Sequence, residues 1–471
     1  MIGSFFIIHS RKFLAFFIGF IFLAAFALPL PGAEAQDSGA TKHKGMQSMP
    51  KQMQHGADKA ATSTDMKKPK MGGHAGGMKK PMMGGHGGGM AKFNKVKFEP
   101  SSTCKQCHET IVQEWSQSMH SRSRSAWYFS HKVASERMGM VCNNERNEAI
   151  ACQTCHEPGG VYPFGDVIQK MPAAVASAEG VTCDICHRIS EVKGTGEFSF
   201  GPMDTKLGPY KDSKSPYHKT LYSPLMESSE FCVACHGQLN NLNGLNVCDT
   251  TRSWRKSKYA KPGKDAKTCQ SCHMPAFSGA AATGDAAPDD APKNRTRHSH
   301  IFRGPNSDPT ILMTAATLVQ DVKRAANGDL HIEVKVTNSG TGHDLPSGLP
   351  ERLITLKVTG KDASGKVVWE NWEENVYEED RMAAFGLYGF DPKGGEVPPM
   401  GASKIDNLSL QPDETRTLDY KLSKADSANI RSVEAKLTYH AARPEGIFYF
   451  GNQGLASVKP RPMTSVVTRV N

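Results

Sequence analysis

Apolar and polar residues alternate in several short runs near the C-terminal end of the chain. The runs cover residues 330–336, 352–358, 367–372, 415–422, 432–439 and 464–470. Turn signals such as Asn327-Gly328 separate them. Alternation with a period of two residues, interrupted by turns, predicts half-buried β-strands. We therefore expect residues 310–471 to form an antiparallel β-sandwich (Ig-like) domain.

Five copies of Cys-x-x-Cys-His lie upstream of these runs, where no such alternation is present. Two thiols two residues apart can reach the two vinyl groups of one porphyrin, and the adjacent His can bind its iron. Each copy therefore predicts a c-type haem attachment site. One copy alone could be half a zinc site or a redox dithiol, but five copies that all end in His favour haem c. The predicted thioether residues are Cys104, Cys107, Cys152, Cys155, Cys183, Cys186, Cys232, Cys235, Cys269 and Cys272. The predicted proximal iron ligands are His108, His156, His187, His236 and His273.

The motif region, residues 98–305, offers roughly 40 residues of chain for each haem, which is too little to build a large side-chain core around every cofactor. The porphyrins should then form much of the core themselves and lie close enough together to pass electrons. Glycine and proline punctuate the intervals between motifs, for example at Gly208-Pro209. We expect an α-rich, irregular multihaem domain with each motif at or near a helix start.

The sixth ligand of each iron decides what such a protein can do. If every iron has two His ligands, the protein carries electrons, whereas one open iron could bind a small substrate. Histidines in loop-like or helix-edge contexts are the candidates for distal ligands, although an ordinary surface His is the alternative at each position. The candidates are His120, His131, His218, His300 and His343, with His298 as a substitute. By contrast, His331 lies on the polar side of an alternating run and His440 follows another such run, so both are expected to be solvated strand residues.

The N-terminus has the pattern of an export signal. Arg11 and Lys12 precede an apolar run at 13–28, and Ala33-Glu34-Ala35 supplies small residues for cleavage. This predicts a signal peptide over residues 1–35, with an uncleaved anchor as the alternative. No later apolar run is long enough to span a bilayer, so we predict an exported chain in the periplasm or at the cell surface.

Residues 36–97 are rich in Gly, Lys, Met and His and lack hydrophobic periodicity, which predicts a disordered tail. The tail holds nine Met and four His, a donor set that suits Cu(I). It also holds 12 Lys and three Asp, so the alternative is a tether that attracts an acidic redox partner or an anionic surface. Residues 98–471 carry 43 basic and 43 acidic residues, and this balance gives no support for nucleic-acid binding.

Two cysteines, Cys142 and Cys248, lie outside the motifs. In an oxidising compartment they could form a disulfide, and two unpaired buried thiols are the alternative.

Several stretches around the motifs resemble multihaem cytochromes of the cytochrome c-554 type. They are the first motif with Trp115 and His120, residues 215–236, and residues 249–275. The resemblance implies stacked haem pairs, mostly bis-His iron and electron transfer in the periplasm or at the cell surface. The chain departs from the prototype because it has five motifs rather than four and a long C-terminal extension.

The same resemblance marks His120, His218 and His300 as distal ligands. His343 lies in a Gly-His-x-x-Pro loop similar to that of β-domains appended to multihaem cytochromes. We hypothesise that His343 crosses to one haem of the motif region and so docks the two domains.

The sequence as a whole predicts an exported pentahaem c-type cytochrome that carries electrons to and from redox partner proteins, rather than an enzyme. One alternative is a reductase or oxidase of a small nitrogen or sulfur compound at one five-coordinate haem. Pentahaem nitrite reductases share the haem count, but their catalytic motif usually carries Lys, and all five motifs here end in His. The other alternative is a self-assembling subunit of an extracellular cytochrome filament.

Overall fold

The structure is a computed structural model that describes residues 98–123, 142–150, 153–159, 179–443 and 459–470. These residues belong to one compact unit, which covers the chain from Met82 to Asn471. The predicted signal peptide and Met/His-rich tail lie outside the described residues, as do His131 and Cys152.

Short helices and short strands alternate through the motif region. Its helices are α1 (Ser101–Gln117), α2 (Gln153–His156), α3 (Cys183–Cys186), α4 (Glu230–His236), α5 (Thr250–Lys256) and α6 (Cys269–His273). Its strands are β1 (Cys142–Asn143), β2 (Ala149–Ile150), β3 (Ile189–Gly194), β4 (Glu197–Phe200), β5 (Thr205–Gly208), β6 (Lys219–Tyr222), β7 (Gln238–Asn240), β8 (Asn246–Asp249), β9 (Ala276–Gly279) and β10 (Arg295–His298). Every motif that is described in full lies within or overlaps one of these helices, most often at or near its start.

The prediction of an α-rich motif region is wrong. Five of the six helices in its described part are only four to seven residues long, and ten strands lie among them. The segments between motifs pair with each other instead of remaining loops: β3 pairs with β4, β9 with β10, and β1, β2, β7 and β8 form one sheet. Gly196, at φ 77°, turns the chain between β3 and β4. Strands this short carry too little alternation to be recognised in the sequence.

Antiparallel sheets form the C-terminal region, as predicted. The strands are β11 (Thr317–Arg324), β12 (Leu330–Thr337), β13 (Leu353–Lys361), β14 (Val367–Glu370), β15 (Ala384–Phe390), β16 (Glu396–Val397), β17 (Lys404–Asn407), β18 (Thr415–Leu422), β19 (Ser432–His440) and β20 (Arg461–Arg469), with one short helix, α7 (Val376–Glu379). One sheet has the order β11-β12-β18. The other has the order β16-β15-β13-β19-β20, with β14 also paired to β13 and β17 to β15.

All six alternating runs correspond to strands, but β11 and β15–β17 were not predicted. Strand β15 is buried on both faces over most of its length, so its sequence, Ala-Phe-Gly-Leu-Tyr-Gly-Phe, does not alternate. His331 is exposed on β12, as expected, whereas His440 on β19 is half-buried and its Nε2 lies 3.1 Å from the Thr355 hydroxyl. Acidic residues cluster between Glu373 and Asp380. One of them stabilises the local fold, because the Glu379 carboxylate accepts the backbone N–H groups of Glu373, Glu374 and Asn375.

Buried aliphatic side chains from both sheets meet in one hydrophobic core. Ile332 and Val334 of β12 lie in it together with Leu356 of β13 and Leu437 of β19, all at most 1% exposed. Among the described residues, no helix is both long enough and apolar enough to cross a membrane.

Polar contacts join the C-terminal region to the motif region. The buried Asn241 side chain donates hydrogen bonds to the carbonyl oxygens of Pro399 and Ala402, both at 2.9 Å. The hydroxyls of Thr250 and Ser347 are 2.6 Å apart. Because buried amides and hydroxyls are costly to leave unpaired, these contacts fix how the two regions meet.

The loop between β12 and β13 approaches the motif region more closely than any side chain would allow. A Cβ on Gly342 would lie 2.8 Å from the Tyr259 ring and 3.2 Å from the Trp254 ring. A Cβ on Gly340 would lie 1.7 Å from the Thr314 carbonyl oxygen, which belongs to the start of the C-terminal region itself. Glycine at position 342 therefore lets the loop place the next residue, His343, against the motif region.

We expect Leu437→Ala to lower the free energy of unfolding by about 2–5 kcal/mol, because it leaves a cavity between the two sheets. The measurement is urea denaturation followed by far-ultraviolet circular dichroism. Lys436→Ala is the matched control on the same strand, since its side chain is exposed; it should change the stability by less than about 0.5 kcal/mol. Equal effects of the two substitutions would contradict the assigned core.

Candidate functional site

Threonine side chains start the helices of the third and fifth motifs. The Thr182 hydroxyl accepts the N–H of Ile185 at the start of α3, and Thr268 does the same for Ser271 at the start of α6. Because an N-cap hydroxyl satisfies an otherwise unpaired helix donor, the helix begins at the first motif cysteine. Both thiols of each motif then lie on one helical turn.

The first motif lies in α1, which kinks at His108 (φ −114°, ψ 42°). The His108 Nδ1 donates a hydrogen bond to the Ala281 carbonyl oxygen at 2.7 Å. Further along α1, Trp115 is buried and its indole N–H donates to the Val181 carbonyl at 2.8 Å. The first motif helix is thereby fixed against the segment that enters the third motif.

The third-motif histidine faces a histidine that lies beyond the fifth motif. The rings of His187 and His300 have centroids 6.4 Å apart and planes inclined by 19°. The His187 Nδ1 donates to the Leu207 carbonyl at 2.7 Å, and the His300 Nδ1 donates to the His298 carbonyl at 2.9 Å. With Nδ1 protonated, both rings leave the Nε2 lone pair free for a metal.

The fifth-motif histidine faces a histidine of the C-terminal region in the same way. The ring centroids of His273 and His343 are 6.3 Å apart, with planes inclined by 16°. The Nδ1 of His273 donates to the Arg303 carbonyl at 2.6 Å, and the Nδ1 of His343 donates to the Asp344 carbonyl at 2.9 Å. The Asp344 N–H donates in turn to the Ser253 hydroxyl on α5, which ties the loop to the motif region.

The fourth-motif histidine faces His120, the histidine that follows α1. The ring centroids of His236 and His120 are 6.0 Å apart, and their planes are perpendicular at 89°. Phe302 packs edge-on against His120 at 4.3 Å and has a positive φ of 52°, which is uncommon for a bulky residue. The His120 Nδ1 is buried and has no hydrogen-bond partner among the described residues.

These three separations fit an iron held between each pair of rings. A metal–imidazole nitrogen bond is about 2 Å long and the ring centre lies about 1 Å further out, so opposed rings on one iron have centroids about 6 Å apart. Five of the six rings are also in the protonation state that ligation needs. Burial lowers the pKa of His120 and His300 to about 3 and also lowers that of His187. It lowers the pKa of His236 and His343 to about 4, so these imidazoles are neutral at physiological pH.

The remaining distal-ligand candidates, His218 and His298, do not lie opposite a motif histidine among the described residues. His298 and His218 hold the same tautomer, since their Nδ1 atoms donate to the carbonyls of Met274 (2.6 Å) and Lys219 (3.1 Å). Within the part of the chain that is described, no second imidazole faces His108, His218 or His298 at the separation seen in the three pairs.

Thiols from different motifs lie beside each other. Cys104 lies beside Cys183, Cys155 beside Cys235, and Cys232 beside Cys269. These contacts bring the first motif next to the third, the second next to the fourth, and the fourth next to the fifth.

Cys142 and Cys248 do not lie on neighbouring strands. Cys142 is in β1 and Cys248 is in β8, and β7 pairs with both strands. Strands separated by one intervening strand are about 9.5 Å apart, whereas the Cα atoms of a disulfide are usually about 4.4–6.8 Å apart. The Cys142 side chain itself lies outside the described residues, but this backbone arrangement argues against the predicted disulfide.

No motif or periodic pattern in the sequence predicts the buried ion pair that holds His300. The Glu114 carboxylate accepts the backbone N–H of His300 at 2.9 Å and pairs with the Arg297 guanidinium at 2.9 Å. Glu114 belongs to α1, and 183 residues separate it from Arg297. The pair therefore fixes a distal-ligand candidate against the first motif helix through a contact that only the folded chain creates.

Comparison with known proteins agrees with these motifs. The family described as "Cytochrome c554 and c-prime" matches residues 103–188. Among solved structures, a penta-heme cytochrome c552 from Thermochromatium tepidum is similar at a TM-score of 0.62 and 22% identity, with 80% of this chain and 100% of that chain covered. At this identity the likeness shows the fold alone.

A putative beta-galactosidase from Bacteroides fragilis matches over 33% of this chain and 16% of the beta-galactosidase chain at 14% identity. Its TM-score of 0.15 is too low to indicate a shared fold. No protein of curated function matches the chain. The resemblance indicated by the motifs is confirmed: this chain resembles the multihaem cytochromes c of the cytochrome c554 family, whose sequence it matches over residues 103–188, and it has the fold of a penta-heme cytochrome over most of its length.

Proposed function

We propose that the protein transfers electrons along five covalently bound haem c groups, most of them with two His ligands. The observation that carries this proposal is the opposition of three motif histidines to a second imidazole at 6.0–6.4 Å. In this proposal His300 is the distal ligand at the third motif, His120 at the fourth and His343 at the fifth. The similar solved structure is a penta-heme cytochrome c552, which supports the count of five.

When bound, each haem supplies a one-electron Fe(III)/Fe(II) couple. At these three sites the two opposed imidazoles would hold the iron from both sides and would leave no position there for a substrate. Backbone carbonyls hold four of the six rings through Nδ1, which keeps the orientation of these ligands the same in both oxidation states. A rigid ligand set of this kind favours electron transfer over chemistry at the iron.

The proposed electron path follows the contacts between motif thiols. A thioether joins each thiol to the edge of its own porphyrin, so touching thiols place two haem edges side by side. The order implied is the first motif beside the third, and the fourth beside both the second and the fifth. Cys186 of the third motif also lies near Cys232 and Cys235, which connects the two groups.

The proposal includes export to the periplasm or cell surface and exchange of electrons with redox partner proteins. It rests on the N-terminal signal pattern and on the need to attach haem c outside the cytoplasmic membrane. Copper binding by the nine Met and four His of residues 36–97 is a separate, sequence-based proposal for a segment outside the described residues. The filament alternative would be tested by negative-stain microscopy.

The alternative of a substrate-binding haem concerns the first motif in particular. His108 is held by the Ala281 carbonyl, and no opposing imidazole lies at the pair separation among the described residues. The spin state of the ferric protein separates this alternative from the carrier.

We expect electron paramagnetic resonance of the ferric protein to show low-spin iron in at least three of five haems, with haem content determined alongside. The fourth-motif pair, with perpendicular rings, should give a more anisotropic low-spin signal than the two near-parallel pairs. A high-spin fraction near one haem in five would indicate an open iron and favour the reductase or oxidase. High-spin iron at most haems would contradict the proposed ligand pairs.

His343→Ala should convert one haem to the high-spin form, because it removes the distal ring opposite His273. Added imidazole should restore the low-spin signal, which a mere loss of folding would not allow. His331→Ala is the control, since that side chain is exposed on β12. An unaltered spectrum of His343→Ala would rule out the assignment.

Glu114→Gln should raise the midpoint potential of one haem, because it removes a negative charge beside His300 and leaves Arg297 uncompensated. A buried charge about 10 Å from an iron shifts its potential by tens of mV. The measurement is a spectroelectrochemical titration at pH 7. Asp419→Asn removes an exposed carboxylate on β18, away from the motif histidines, and should leave all potentials in place. Identical titration curves for Glu114→Gln and the wild type would show that Glu114 does not act on the haem.

A further inference from the structure

A strongly basic surface lies immediately before the fifth motif. The segment from 252 to 267 contains seven Lys and Arg residues but a single acid, Asp265, and all seven basic side chains are exposed. They are Arg252, Arg255, Lys256, Lys258, Lys261, Lys264 and Lys267. Since residues 98–471 are balanced in formal charge overall, this basic segment is a local concentration of positive charge.

Part of this charge is compensated within the fold. Arg252 pairs with Asp249 at 2.6 Å, Arg255 pairs with Glu230, and Lys258 pairs with Asp413. The other four lysines, at 256, 261, 264 and 267, form no ion pair within 4 Å among the described residues. The basic segment therefore presents uncompensated positive charge to solvent.

Packing connects the basic segment to both sides of the fifth-motif site. Lys258 and Lys267 place their ammonium groups 5.3 and 5.1 Å from the centre of the Tyr259 ring. The same ring lies against Gly342, the residue before His343. Lys258 and Lys267 therefore lie next to the loop that holds His343, the proposed distal ligand.

On the proximal side, the chain itself makes the connection. Lys267 precedes the first cysteine of the fifth motif by two residues, and its carbonyl accepts the Trp254 indole N–H at 3.2 Å. Cys272 of the same motif is exposed, whereas the other motif thiols among the described residues are only partly accessible. The haem attached there would therefore approach the surface beside the lysines.

We propose that the basic segment is the docking surface for an acidic electron-transfer protein and that the fifth-motif haem is the port through which electrons enter or leave. This rests on the proposed electron-transfer function. One electron passes between the partner's reduced cofactor and the fifth-motif iron, so that the partner is oxidised by one electron and Fe(III) becomes Fe(II), with no proton transferred. Opposite charge raises the rate of encounter and orients the partner toward the port.

The test uses the full chain and an acidic flavodoxin in its hydroquinone form as the one-electron donor. The variant Lys261→Glu/Lys264→Glu/Lys267→Glu should lower the second-order rate of haem reduction by about tenfold or more at low ionic strength. The difference should largely vanish in about 0.5 M salt, where charges more than a few ångströms apart are screened. Lys421→Glu/Lys424→Glu/Lys436→Glu is the matched control, because it changes the formal charge equally on exposed residues of β18, β19 and the turn after β18.

The control triple variant should react within twofold of the wild type. Equal slowing of both triple variants would mean that overall charge matters rather than the basic segment, and would overturn the proposal. So would an unchanged flavodoxin rate combined with lost binding to phosphatidylglycerol vesicles, which would indicate a membrane-surface site. Reduction by dithionite tests the underlying function separately: haems that dithionite cannot reduce would refute electron transfer itself, whatever the lysine variants do.

Discussion

The structure depends on pairs of imidazoles held about 6 Å apart. Each pair joins a motif histidine to one that is distant in sequence, and removal from water lowers the pKa of His120, His236, His300 and His343 so that these rings are uncharged. Carbonyl oxygens at Leu207, Arg303 and Asp344 fix three of these rings through Nδ1. Because the proposed bis-His ligation places one lone pair on each side of the iron, the fold must first bring these distant segments together.

This requirement explains how the regions are joined. The fifth-motif pair takes one ring from α6 and the other from the loop between β12 and β13, so in the proposed ligation the C-terminal sheets would support a ligand of the motif region. Gly342 lacks the side chain that would otherwise hold this loop away from Tyr259 and Trp254. The buried Asn241 amide and the hydroxyl of Ser253 then satisfy backbone groups across the contact.

The segment from His298 to Arg303 serves several sites at once. It supplies His300 to the third motif, the Arg303 carbonyl to His273 of the fifth, and Phe302 to the face of His120. Glu114 of α1 anchors this segment through the His300 backbone. A change at one haem of the proposed set would therefore be felt at its neighbours, which suits a protein whose cofactors work in series.

The haem attachment motifs could be predicted from the sequence, since two thiols and a histidine at fixed spacing attach haem without help from distant residues. Alternation did the same for strands such as β12 and β18, which have one buried face. The tertiary structure alone decided which histidines face each other, because 116 residues separate His120 from His236 and the pairing depends on how helices and loops pack. It alone revealed the short strands between motifs and the doubly buried β15, where local sequence carries no periodic signal. It also placed the Glu114–Arg297 pair and the strand between Cys142 and Cys248, because contacts of that kind arise only when the chain folds back on itself.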